Sequence, residues 1–63
     1  SGEDVARQTA ITNGEAHIQK YGIESYLEWA GGEENARVVL GDARFEQLAT
    51  EDAERQTADK RLR

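Results

Sequence analysis

His17 is the one imidazole of the chain, and there is no cysteine. On a helix His17 faces Tyr21 at i+4, while Glu15, two residues earlier, points elsewhere. A metal ion needs several ligands. Glu24 and Glu28 could join His17 only across a symmetric oligomer, so an ordinary surface or partly buried histidine is expected, with no metal and no cofactor. Glu24 and Glu28 are themselves an acid pair at i, i+4. General acid-base work needs a cleft that drives one carboxyl pKa away from the other. A single amphipathic helix offers no such cleft, and a solvated acidic face is the expectation. Ser25 has no candidate base at a readable spacing. The six glycines match neither a dinucleotide fingerprint nor a P-loop, which would need a Gly-rich turn between strand and helix. No catalytic site follows from these residues, and an enzyme is not expected.

The aromatic residues carry more. Tyr21, Tyr26 and Trp29 fall within one stretch, Tyr21–Gly32. Large aromatics are enriched at the energetic centres of protein interfaces. Ile23, Tyr26, Leu27 and Ala30 recur at i, i+3, i+4 and i+7, which places them on one face of a helix. Leu27 stands at the centre of that stripe. Trp29 lies about 100° round the helix from its near neighbours, so it either closes the edge of a small core or anchors another chain. Further along, Val38, Phe45 and Leu48 fit a heptad-like seam with Gly41 between them. The residues expected to bind a partner are therefore Tyr21, Ile23, Tyr26, Leu27, Trp29, Val38, Phe45 and Leu48.

These side chains require helices to present them. Proline is absent and alanine, glutamate, glutamine and arginine are abundant, a composition that favours helix. Residues 1–12 are weakly patterned and read as a flexible N-terminal arm. Asn13 is a possible N-cap with Glu15 in the first turn, and a continuous or slightly kinked helix is expected from about 14 to 30, with Gly22 inside it. Gly31-Gly32 ends that helix through a left-handed cap. Glu33 and Glu34 then suit the start of a second helix, expected over about 33–62 with a break or kink near Gly41-Asp42. A hairpin over residues 37–49, turning at Gly41-Asp42, is the alternative. Thr50-Glu51-Asp52 resembles another helix start. The stretch after Asp52 reads as a solvated helix with acid-before-base pairs Glu51/Arg55 and Asp59/Arg63, ending in a basic tip, Lys60 to Arg63. The expected fold is all-α: a small protein of two or three helices, a hairpin or bundle spanning residues 13–63.

Sixty-three residues allow one domain at most. Only fourteen apolar residues are large, and nine of the remainder are alanine. A chain this short buries a small share of its surface. With no disulfide available, oligomerisation or a partner is the expected means of completing the core. The net charge of −5 is uneven: residues 1–36 hold seven acids and two bases, whereas residues 37–63 balance at six each. An acidic N-terminal half argues against a nucleic acid as partner, since phosphate binding needs clustered Lys and Arg. A helix-turn-helix over residues 5–30 fails for the same reason. No apolar run approaches the ~20 residues of a membrane span, and no signal-peptide pattern is present. The location expected is cytoplasmic or virion. The leading functional expectation is a small acidic protein–protein interaction protein, an accessory subunit or inhibitor of a larger partner, of a kind that suits bacteria or phage. Two alternatives stand beside it: a structural assembly component, a homo-oligomer such as one of a viral particle, and a nucleic-acid mimic using the short acidic row Glu24, Glu28, Glu33 and Glu34. No motif specifies a family.

Overall fold

The computed structural model describes residues 2–61, and every regular element among them is a helix. α1 spans Gly2–Tyr21, α2 Ile23–Ala30, α3 Glu33–Leu40 and α4 Asp42–Arg61. The fold is all-α, with four helices in place of the two or three expected from the sequence.

Three glycines set that number. Gly22, Gly32 and Gly41 have φ/ψ of 95°/160°, 112°/170° and 86°/148°. This region of backbone space is essentially reserved for glycine. Each residue stops one helix or turn while its carbonyl starts the next: Gly22 O accepts Tyr26 N–H at 3.3 Å, Gly32 O accepts Ala36 N–H at 3.0 Å and Gly41 O accepts Phe45 N–H at 2.9 Å. The continuous helix expected over 14–30 is therefore broken at Gly22. Helix propensity counts an interior glycine as a modest cost, but here the chain reverses direction. The break expected near Gly41-Asp42 is present, and residues 37–49 are helical rather than a hairpin. Gly31 takes the expected left-handed cap at φ 90°, and Leu27 O accepts the N–H groups of both Gly31 (3.1 Å) and Gly32 (2.8 Å).

Residues 2–12, expected as an arm, lie within α1. Asn13 and Gly14 consequently sit mid-helix and do not begin one. Gly14 is buried, and a Cβ there would stand 3.1 Å and 3.2 Å from the Tyr26 ring and hydroxyl and 3.3 Å from Leu40. The glycine marks a close approach of α1 to α2 and α3. Thr50-Glu51-Asp52 likewise lies inside α4.

The contacts define the path. His17 meets Ser25 and Gly14 meets Tyr26, so α2 runs back antiparallel along α1. Arg44 reaches Glu15, and Asp52 stands beside Gly22, so α4 runs in the same direction as α1 and passes its C-terminal end. The two 20-residue helices overlap only in part, which draws the molecule out to 47 Å against 19 Å and 18 Å across. The core occupies the overlap: Ile18, Tyr26, Ala36, Leu40, Phe45 and Leu48 are buried, with Ile11, Ile23, Leu27, Ala30 and Val39 packed against them. The first half of α1 and the second half of α4 project from opposite ends, almost wholly exposed.

Candidate interaction surface

The Gly22 reversal brings residues of α1 and α2 face to face. The His17 ring stacks on Trp29 with centroids 5.8 Å apart, meets Tyr26 edge-on at 6.0 Å and lies 5.0 Å from Tyr21. The His17/Tyr21 meeting is the i, i+4 neighbour relation read from the sequence. His17 Nε2 and Ser25 Oγ are joined by a 3.1 Å hydrogen bond. No base stood at a readable spacing from Ser25; His17, eight residues earlier, reaches it because the single-residue break at Gly22 folds α2 back along α1. A nucleophile and base also need a third group to orient the base, and among the described residues no carboxylate bonds to the His17 ring. The bond instead ties α1 to α2. No group of acids and histidines that could hold a metal ion occurs among the described residues, and Glu24 and Glu28 are both exposed.

The eight residues expected at a partner interface divide into three sets. Tyr26, Phe45 and Leu48 are buried in the protomer core. Ile23 and Leu27 pack against that core and are partly exposed; Tyr26, rather than Leu27, is the deep residue of the α2 stripe. Tyr21, Trp29 and Val38 are exposed, Trp29 at 69%. Val38 does not share a seam with Phe45 and Leu48, because the Gly41 break rotates α3 relative to α4 and helical spacing does not carry across it.

Trp29 stands at the edge of a groove. Its walls are Ala6, Thr9, Ala10 and Asn13 of α1, Tyr26 and Ala30 of α2, and Val39 of α3. The α1 wall is made of small and polar side chains, two alanines with Thr9 and Asn13. Burial away from water raises the Tyr26 pKa. Acidic residues surround this end of the molecule: Glu28 precedes Trp29, Glu33 and Glu34 open α3 just beyond Ala30, and Glu3 and Asp4 open α1, all of them exposed.

Two side chains that hold the frame escaped the sequence reading. Arg37 bridges α3 to α4 across the Gly41 break. It pairs with Glu46, with Asp42 at 3.3 Å and with Glu33 at 3.5 Å, and its guanidinium lies 4.5 Å from the Phe45 ring centroid. The hydrogen bond to Glu46 is the main cause of a raised Arg37 pKa. The Glu33/Arg37 spacing at i, i+4 was the available signal. Asp52 is buried, accepting from Gln56 Nε2 at 2.6 Å and Arg55 Nη2 at 3.4 Å; within a run of polar residues nothing singled it out. Arg55 thus pairs with Asp52, not with the expected Glu51, which accepts from Gln47. The Asp59/Arg63 pair lies outside the described residues. No helix among the described residues is long and apolar enough to cross a membrane.

The chain matches no protein-family model, no curated protein and no solved structure.

Proposed function

We propose that this is a non-enzymatic protein–protein interaction protein, an accessory subunit or inhibitor, which receives an amphipathic helix in the groove beside Trp29. The observation that carries the reading is Trp29 itself. Its indole is 69% exposed yet held in place by the His17 stack and by Tyr26, whose ring centroid is 6.1 Å away. A large aromatic that is positioned before binding loses little freedom when a partner covers it. The small Ala6 and Ala10 leave room for a helix beside Trp29, Thr9 and Asn13 offer it polar contacts, and the acidic surround favours a partner with basic residues flanking its apolar face.

Affinity capture with the intact chain and with Trp29→Ala as baits tests this. A specific protein is expected to be retained by the first and lost from the second, while circular dichroism shows the same helix content for both. Retention of the same protein by both baits would remove Trp29 from the interface and with it this reading.

A further inference from the structure

The one histidine of the chain lies against its one tryptophan. The His17 ring stacks on the Trp29 indole at 29° with centroids 5.8 Å apart, which leaves the rest of the exposed indole to the groove. Tyr21 and Tyr26 stand 5.0 Å and 6.0 Å from the same imidazole. Histidine is the side chain whose charge ordinarily changes between about pH 5 and 8. The 3.1 Å hydrogen bond between His17 Nε2 and Ser25 Oγ suits both states. The hydroxyl donates to a bare ring nitrogen or accepts from a ring N–H. Protonation therefore adds a charge without releasing the ring, and the stacked indole is placed to receive it.

Charged groups approach this ring from all four helices. On α1, Lys20 lies one turn on, over the Tyr21 ring. Glu15 points to the other side of α1, where it pairs with Arg44 of α4. On α2, Glu24 and Glu28 flank Ser25 and are exposed. α4 brings Asp52, Arg55 and Asp59 alongside the Lys20 end of α1, with Asp52 and Arg55 paired. α3 contributes Glu33, paired with Arg37, and Glu34. The groove wall itself carries no charged side chain. Its potential is set from outside, by Glu28 and Glu34, by Glu3 and Asp4 against Arg7 on α1, and by His17 behind the indole.

We infer that His17 is a positioning residue that also sets the charge of the groove: as neutral imidazole it holds Trp29 for a basic partner, and as imidazolium it turns that partner away. The inference rests on the reading of the groove as a surface for a partner with basic residues, and it supplies the regulation of that surface. Two effects act in the same direction on acidification. The imidazolium draws on the indole π-system that a partner's Lys or Arg would use, and its charge offsets a carboxylate of the acidic surround. A cation touching the open side of the indole would stand about 10 Å from the His17 charge, which at low ionic strength is worth about twofold in its local concentration.

Because Trp29 is the only tryptophan, quenching of its fluorescence reads the groove directly. The probes are two nitroxides built on the same ring, one with a quaternary ammonium and one neutral, at millimolar concentration and about 10 mM ionic strength, where the screening length is about 30 Å. From about pH 7.5 to about pH 5.5, across the ordinary histidine range, the ratio of cationic to neutral quenching should fall about twofold in the intact chain. The ratio should stay constant in His17→Gln, which keeps a polar group toward Ser25 without the titration. The neutral probe reports any change in exposure, and circular dichroism any change in fold. On the intact chain, NMR should show the Trp29 indole resonances moving with the same midpoint as the His17 ring protons. Different midpoints overturn the inference even if the variant fails to fold. A ratio independent of pH in the intact chain also overturns it, as does an equal fall in His17→Gln, which would assign the charge to carboxylates. A protein captured through Trp29 should be held more weakly at the lower pH by the intact chain and equally at both by His17→Gln. If the ratio falls as expected but capture does not depend on Trp29, the His17 charge coupling stands and the partner reading alone fails.

Discussion

Tyr26 and Trp29 lie three positions apart on α2 and have opposite roles. Tyr26 is 1% exposed and fills the space left by Gly14. Replacing it with alanine should cost about 3–5 kcal/mol, the range for a buried aromatic, and is read from chemical denaturation. Trp29→Ala should cost less than about 1.5 kcal/mol, the scale of its ring contacts, because most of the indole already faces water. Burial also links Tyr26 to pH. Its pKa is raised in the folded protein, so the stabilisation is complete below the ordinary tyrosine value of about 10 and is lost as pH rises from there through the folded pKa. Thermal unfolding followed between neutral and strongly alkaline solution should show this decline. Tyr26→Phe should flatten it. An equal alkaline decline in the phenylalanine variant would show that Tyr26 ionisation is not its source.

Among the elements, the breaks matter as much as the helices. α2 and α3 are eight residues each, too short to be stable helices alone in water. They persist because the glycines fold them back onto the Ile18 and Phe45 core. Gly22→Ala and Gly41→Ala place a Cβ on backbone at φ +95° and +86°, and each should destabilise the protein by about 1–3 kcal/mol. Neither site is crowded: the nearest atom to a Cβ at Gly22 is Asp52 Oδ1 at 3.9 Å, and a Cβ at Gly41 meets nothing within 4 Å. The loss would therefore report backbone conformation rather than packing. Equilibrium unfolding in urea measures it, and an alanine variant as stable as the parent would mean that one of these junctions is a continuous helix. Gly14 is the opposite case, with ordinary helical backbone and no room, so Gly14→Val should force Tyr26 and Leu40 apart and lower the melting temperature.

At the scale of the molecule, the partial overlap of α1 and α4 leaves, among the described residues, a core of six buried apolar residues and two projecting half-helices. Association would add buried surface that one protomer lacks. The melting temperature is accordingly expected to rise with protein concentration, and scanning calorimetry over a hundredfold range of concentration tests this. A melting point independent of concentration in the intact chain would show that the protomer is stable without association.

Helix class was legible in the sequence because it is a local property. The absence of proline, the alanine and glutamate content and the Ile23, Tyr26, Leu27, Ala30 stripe act within a few turns of chain. Gly31 as a helix end and the break at Gly41-Asp42 were legible for the same reason, since a glycine beside an acidic first turn is a local signal. Gly22 and Gly14 were not distinguishable in this way. Both are glycines within a helical pattern, yet one reverses the chain and the other permits a close crossing. Only the position of the partner helix separates these roles. The same holds for the aromatic residues. Spacing placed Tyr26, Leu27 and Trp29 on known sides of α2, but α1 lying antiparallel is what buried Tyr26, stacked His17 on Trp29 and brought Ser25 within 3.1 Å of His17. Asp52 and Arg37 belong to this second kind as well: their neighbours come from chain reversal and helix offset, which depend on packing between helices rather than on the order of residues within one.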